Sequence, residues 1–338
     1  MNSEDIKTLK QRLKTRCRIV LVPHKNPDGD AIGACLGLFH FLRQQGHEVS
    51  PVSPNDFPGF LKWMPGSESF VIYDHNAGRA QELLKNADLV FTLDFNSLDR
   101  SGSMTTALQG CEGTFVMIDH HQSPGTYAQI TYSDPEMSST CEMVYHFIQS
   151  LGEGDRIDAT IAACLYTGIL TDTGSFKYAA TTPTTMRVAA ELMERGAPHT
   201  QIHRDIFDTN RPERLQLLGC ALQNLVILKP YRTAYITLTQ EELNRHDFHK
   251  GDTEGFVNYG LSLKDVVLAA IFIENRDEGI IKISLRSQGA FSVNEMARTH
   301  FEGGGHINAA GGRSTESIEA TVKRFESILP DYEKQLAG

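Results

Sequence analysis

The residues able to do chemistry are concentrated in two short stretches. His24-Lys25-Asn26-Pro27-Asp28-Gly29-Asp30 puts an imidazole and two carboxylates within seven residues, directly after an apolar run. Asp119-His120-His121 closes another apolar run far downstream. Carboxylate oxygens mixed with imidazole nitrogens suit a manganese-like divalent ion, and several such ligands can hold two ions side by side. Metal-assisted hydrolysis of a phosphoester is the reaction such a centre serves.

Taken singly, each of these acids has a plainer reading. Asp28 and Asp30 fit a turn and a helix N-cap, Asp94 a turn at a strand end, and Asp172 a helix cap. His40 and His47, away from any motif, read as surface or partly buried residues. The plain readings fail jointly. Several acids and histidines gathered at one edge of a sheet would repel one another, and an unpaired buried carboxylate costs several kcal/mol unless a cation compensates it.

The elements that must position these residues alternate. Residues 4–16 have helical spacing, with Ile6, Leu9 and Leu13 on one face. Strand-like runs at 19–22, 49–52, 70–73, 89–94 and 114–118 are interleaved with helical stretches at 31–45 and 78–86. Asp30 stands where the N-cap of the 31–45 helix would be. Helices are expected at 138–151 and 158–170, the second leading into Thr171-Asp172-Thr173-Gly174. This alternation predicts an α/β fold with a mostly parallel sheet, and such sheets bind ligands beyond the carboxyl ends of their strands. His24, Asp28, Asp94 and Asp119-His120-His121 all follow strand runs at that end.

Composition shifts near residues 195–212. The reading is therefore a catalytic domain at 1–195, a linker and connecting helix at 196–226 and a second domain at 227–338. Strand runs at 233–238, 266–274 and 279–286, then Gly303-Gly304-Gly305-His306 and a closing helix at 315–334, make the second domain a mixed sheet flanked by helices.

A chain of 338 residues with 40% hydrophobic and 22% charged residues is ordinary globular protein with room for two domains. No apolar stretch approaches the roughly 18 residues of a membrane span. The acidic start, Met1-Asn2-Ser3-Glu4-Asp5, is unlike a signal peptide, so a cytoplasmic protein with no membrane partner is expected. Six scattered cysteines without C-x-x-C spacing read as free thiols. A formal charge of −10 argues against a broad basic surface for long duplex nucleic acid, while leaving room for a short oligonucleotide or a mononucleotide in a local basic pocket.

Together, H-x-N-P-D-G-D-A-x-G at 24–33, Asp94, Asp-His-His at 119–121 and Thr-Asp-Thr-Gly at 171–174 resemble the DHH phosphoesterase superfamily. That superfamily includes RecJ-like exonucleases, family II inorganic pyrophosphatases and small stand-alone nanoRNases. Glu254-Gly255-Phe256-Val257-Asn258, Arg286-Ser287, Asn294 and Gly303-Gly304-Gly305-His306 are similar to its associated C-terminal domain, so the resemblance covers nearly the whole chain. One departure is Ala34, where many members have serine; it lies off the metal side.

The resemblance implies two divalent ions, manganese first among them. One would be held by His24, Asp28 and Asp94, the other by Asp30, Asp94, His120 and Asp172, with Asp94 shared. Asp119 would orient ligands, and His121 would contact phosphate. Attack by an activated water needs no side-chain nucleophile, so Ser123, Ser175 and the cysteines have no covalent role. Arg286, Ser287, Asn294, His306 and the backbone of Gly303, Gly304 and Gly305 would recognise the terminal nucleotide across an inter-domain cleft. Glycine N–H groups can in principle face an anion, and Arg286 can hold phosphate through paired donors.

The activity so implied is hydrolysis of short oligoribonucleotides to 5′-mononucleotides, together with removal of the 3′-phosphate of adenosine 3′,5′-bisphosphate. Three other readings compete: a cyclic di-AMP phosphodiesterase using the same residues, a catalytically silent nucleotide sensor, and a pyrophosphatase that would leave the glycine-rich segment without a task. A homodimer is compatible with the sequence but not specified by it.

Overall fold

The computed structural model describes residues 1–337, which form two compact units, 1–209 and 210–337. The division lies inside the 196–226 stretch that the sequence sets apart. Of its two helices, one belongs to the first unit and one to the second.

In the first unit, α1 (Ser3–Arg12) precedes β1 (Arg18–Pro23), α2 (Gly29–Gln44), β2 (Glu48–Ser53), β3 (Val71–Ile72), α3 (Ala77–Lys85) and β4 (Leu89–Leu93). There follow α4 (Thr105–Gln109), β5 (Thr114–Asp119), β6 (Ile130–Ser133), α5 (Thr140–Ser150), α6 (Ala159–Asp172), α7 (Pro183–Glu194) and α8 (His199–Phe207). The six strands are all parallel, in the order β3-β2-β1-β4-β5-β6. The order reverses between β1 and β4, and the crevice beyond that switch point is where doubly wound sheets bind ligands. His24 follows β1 and Asp94 follows β4, so both stand at this crevice.

Why the strands are continuous apolar runs follows from burial on both faces. Leu21, Phe91 and Ile118 pack one way, with Phe41 of α2, Phe147 of α5 and Leu170 of α6. Val20, Val22, Val90 and Phe115 pack the other way, with Ala80 and Leu84 of α3. A fully buried phenylalanine such as Phe91 contributes about 1.5–3 kcal/mol. Residues Ile161–Leu170 of α6 are buried on every side, as in a helix sandwiched by others. Its close approach to α2 depends on glycine: a Cβ at Gly33 would lie 2.6 Å from the Cys164 carbonyl oxygen, and one at Gly168 would lie 2.8 Å from Asp30 Oδ1.

The second unit comprises α9 (Pro212–Gln223), β7 (Val226–Leu228), β8 (Thr233–Leu238), α10 (Gln240–Arg245), α11 (Val257–Leu261), β9 (Leu268–Asn275) and β10 (Ile280–Ser287). It continues with α12 (Val293–His300), β11 (Gly304–Gly305), β12 (Ala309–Ser314), α13 (Ile318–Ile328) and α14 (Glu333–Ala337). Its sheet runs β11-β12-β10-β9-β8-β7 and is antiparallel except for the parallel β8–β9 pair. One face packs Phe272, Ile283 and Leu285 on Met296 and Phe325; the other packs Ile236 and Ile271 on Leu217 and Leu243.

Both units are therefore α/β, as the alternation predicts. Strands β6, β7, β11 and β12 and helices α4, α7, α8, α10, α11, α12 and α14 are additions that the periodicity did not mark. Among the described residues no helix is long and apolar enough to cross a membrane, and all six cysteines are free thiols.

Candidate metal centre

The loop after β1 is held from three sides. Lys25 N–H donates to the Arg100 carbonyl (2.7 Å), and Asn26, in the left-handed region at φ 55°, donates its N–H to Asn55 Oδ1 (2.7 Å). Asp28, not Asp30, is the N-cap of α2. Its Oδ1 accepts from the N–H groups of Asp30 (3.0 Å) and Ala31 (3.1 Å). The helix begins two residues earlier than the apolar pattern suggests, because Gly29 and Asp30 take helical geometry ahead of the first apolar residue. Asp30 is thereby placed inside the first turn, with its side chain turned into the protein at 1% exposure.

His24 Nδ1–H donates to the Lys25 carbonyl (2.8 Å), which turns Nε2 toward Asp94 Oδ2 (3.4 Å) and Asp28 Oδ1 (4.0 Å). His120 repeats the arrangement. Its Nδ1–H donates to the Met137 carbonyl (3.1 Å), and its Nε2 faces Asp94 Oδ1 (3.4 Å), Asp172 Oδ2 (3.4 Å) and Asp30 Oδ2 (3.8 Å). An imidazole whose Nδ1–H is tied to a carbonyl while Nε2 faces carboxylates is the usual posture of a metal-ligating histidine.

Asp94 sits in the left-handed region at φ 68°, its N–H bonded to the Ile118 carbonyl (3.0 Å). A non-glycine residue in this region is uncommon and typical of functional sites. The bend brings its carboxylate between the two histidines. Asp172 is the last residue of α6, where the helix dipole disfavours a negative charge.

The structure thus gathers all six expected ligands, in the groups His24-Asp28-Asp94 and Asp30-His120-Asp172. Asp119 Oδ1 accepts from His121 Nδ1–H (2.7 Å), so the ring it orients is that of His121. Its Oδ2 is buried without a hydrogen-bond partner.

The electrostatics ask for positive charge. Burial drives the Asp30 carboxyl well above its usual range, and the charges of Asp94 and Asp172 add to this. At Asp94 burial pulls upward too, but hydrogen bonds from His120 and His24 and the charge of His121 outweigh it and hold the group well below the usual range. At His120 burial favours the neutral ring, yet Asp172, Asp94 and Asp30 raise it well above the ordinary value. His24 is raised as well, burial being outweighed by Asp94 and Asp28. The donor set, the fixed ring orientations and the orphaned Asp119 oxygen all fit a pair of divalent ions.

In the second unit, Arg286 on β10 is half-buried and bonds the Leu285 carbonyl through Nη1 (3.0 Å). It pairs in register with Ala309, beside the Gly305–Ala310 pair, so Arg286 and the glycine segment share one end of the sheet. Three further expectations are altered. The Ser287 hydroxyl donates to the Phe291 carbonyl (2.6 Å) and accepts from Asn308 Nδ2 (2.9 Å), which gives it a loop-bracing task. Buried Asn294 accepts from the Gly305 N–H (3.0 Å) and Arg298 Nε (3.2 Å) through Oδ1.

The N–H groups of Gly303 and His306 are taken by the Ala297 and Ala309 carbonyls, so with Gly305 three N–H groups of this segment face the chain, not an anion. These glycines answer crowding: a Cβ at Gly303 would lie 2.0 Å from the Gly311 carbonyl oxygen, and one at Gly305 would lie 2.5 Å from that of Ala309.

Sequence reading did not single out Asn55, Thr140, Arg298 or Asn308. Only Thr140 carried a local signal, following Ser138-Ser139 at a helix start.

Comparison with known proteins gives the family. Residues 18–169 match the DHH family, N-terminal domain, and residues 231–331 match the DHHA1 domain. The chain is 32% identical over 293 residues to a bifunctional oligoribonuclease and PAP phosphatase NrnA of Thermus thermophilus, covering 87% of this chain and 83% of that one. An exopolyphosphatase-related protein from Bacteroides fragilis superposes with a TM-score of 0.95 at 41% identity, covering 100% of this chain and 98% of the other. RecJ of Thermus thermophilus in complex with Mn2+ shares the fold, with a TM-score of 0.53 at 14% identity over 99% of this chain and 55% of that one. The chain therefore belongs to the DHH family, with a DHHA1 domain following its DHH unit.

Proposed function

We propose that this protein is a metal-dependent phosphoesterase that hydrolyses short oligoribonucleotides to 5′-mononucleotides and removes the 3′-phosphate of adenosine 3′,5′-bisphosphate, acting in the cytoplasm with two manganese ions. The observation that carries the reading is the carboxylate of Asp94, each of whose oxygens faces a different orientation-locked imidazole at 3.4 Å. The relationship to a bifunctional oligoribonuclease and PAP phosphatase supports the substrate class.

Bound at such a centre, two divalent ions supply Lewis-acid charge and an ionised water at neutral pH. His24, Asp28 and Asp94 would hold one ion; Asp30, Asp94, His120 and Asp172 would hold the other. The carbonyls of Lys25 and Met137 keep His24 and His120 in one tautomer, so their ligand atoms are aligned before any ion arrives. Asp119 anchors His121 through Nδ1 and makes Nε2 the nitrogen that would meet a phosphoryl oxygen. In the DHHA1 unit, Arg286 and His306 would hold the nucleotide, with Asn294 bracing the segment that carries His306.

The test is a panel of a di-adenylate, adenosine 3′,5′-bisphosphate and cyclic di-AMP, each assayed with manganese and after chelation. Turnover of the first two, lost on chelation, is expected. A dominant rate on the cyclic dinucleotide would replace the substrate assignment, and activity that survives full chelation would overturn the metal reading.

A further inference from the structure

We propose that Thr140 is a positioning residue that ties the two ion positions together. The inference rests on the two-ion reading above and concerns a residue to which that reading gives no role.

Thr140 is the first residue of α5, whose N-cap, Ser139, accepts the Glu142 N–H. The opening N–H groups of a helix have no partner within it. Here they are spent on one carboxylate: Thr140 N–H donates to Asp30 Oδ2 (2.7 Å) and Cys141 N–H to Asp30 Oδ1 (2.9 Å). The Thr140 hydroxyl meanwhile donates to Asp94 Oδ1 (2.9 Å). Asp30 lies in one ligand group and Asp94 in the other, so a single residue touches both. Thr140, Asp30 and Asp94 are each at most 2% exposed, which keeps water from competing for these bonds.

The hydroxyl matters because the terminal torsion of an aspartate is broad and does not by itself set where its oxygens point. A shared carboxylate needs one oxygen toward each ion. The donor on Oδ1 fixes the rotation that leaves Oδ2 facing His24 and Oδ1 facing His120. The N–H grip on Asp30 would survive any replacement of the side chain, whereas the bond to Asp94 belongs to a hydroxyl at this position.

Thr140→Val keeps shape and removes the donor; Thr140→Ser keeps the donor and removes a methyl. Manganese binding to the full chain is read by titration calorimetry without substrate, and the ion pair by electron paramagnetic resonance, where two manganese ions sharing a carboxylate differ from isolated ones. The wild-type chain should bind two ions with the spectrum of a coupled pair. The valine variant should bind the second ion about 10–100-fold more weakly, the range for lost outer partners at metal sites, and lose the coupled spectrum, while the serine variant keeps both.

Wild-type affinity and spectrum in the valine variant would overturn the proposal and leave the two-ion reading standing. An equal loss in both variants would assign the effect to the packing of the whole threonine side chain and not to its hydroxyl, and would also overturn it. A wild-type chain binding fewer than two ions would overturn the two-ion reading itself, and this inference with it. If Thr140→Val does not fold, Thr140→Cys, a weak donor of serine's shape, takes its place with the same expected loss relative to serine.

Discussion

His24 Nε2 lies 3.4 Å from Asp94 Oδ2, although the two residues follow different strands. Those strands, β1 and β4, are neighbours in the sheet but separated in the chain by two strands and two helices. The contact therefore exists only because the sheet reverses its order between them, and it locates the centre at the point where a parallel sheet opens a crevice.

Asp94 should be indispensable. Replacing it by asparagine removes the one carboxylate placed between both histidines, and dinucleotide hydrolysis should fall by more than the roughly 100-fold that outer-partner changes reach. Steady-state rates with manganese, beside an unchanged far-ultraviolet circular dichroism spectrum, would check this. Near-normal hydrolysis would show that Asp94 is no ligand.

Gly168 should not tolerate a side chain. A Cβ there would lie 2.1 Å from Cys141 Sγ and 2.8 Å from Asp30 Oδ1. Overpacking of this kind costs about 1–3 kcal/mol, and because it presses on Asp30 it should weaken manganese binding as well. Gly219, exposed on α9 with nothing near its added Cβ, should behave oppositely, Gly219→Ala stabilising by about 0.5–1 kcal/mol. Chemical denaturation of both variants gives the two signs.

His47 supplies a pH dependence away from the metal centre. Its Nδ1 accepts the Cys17 N–H (3.2 Å), its Nε2 is buried without a partner, and burial lowers its pKa below the usual 6.5. The unfolded chain therefore takes up this proton first as pH falls. The contribution to stability is complete above about pH 6.5, declines as pH falls from there toward the folded value, and is flat below it. Denaturation of the wild type and His47→Asn at pH 7.5 and 5.5 should show a smaller loss in the variant. Equal losses would remove His47 from the account.

Asn294 should matter through the segment it braces. Asn294→Ala leaves the partly buried Gly305 N–H without its acceptor, and losing such a hydrogen bond costs about 0.5–1.5 kcal/mol. If that segment positions His306 for the nucleotide, KM should rise more than kcat falls. Kinetics on adenosine 3′,5′-bisphosphate separate the two, and an unchanged KM would confine Asn294 to stability.

Local sequence carried much of this. Runs such as Ile19–Val22 and Leu89–Leu93 declare strands buried on both faces, and the acids and histidines that follow them declare their end of the sheet. Local sequence did less well where two neighbouring residues compete for one task. Asp28 and Asp30 are equally good caps by type, and only the path of the backbone at Gly29 gave the cap to Asp28 and turned Asp30 inward. The triple glycine took on a nucleotide-binding role only through the family resemblance and its neighbours Arg286 and His306, whereas crowding against β12 is what requires glycine at Gly303 and Gly305.

By itself, then, the chain determined which groups would be present and at which edge of a parallel sheet, because strand propensity and ligand type are properties of short segments. Tertiary structure decided which oxygen meets which nitrogen and which helix end grips which acid. The Thr140 bonds to Asp94 and Asp30 join positions 46 and 110 residues apart. No local preference encodes such a distance; it is set when α5 and α6 pack against α2.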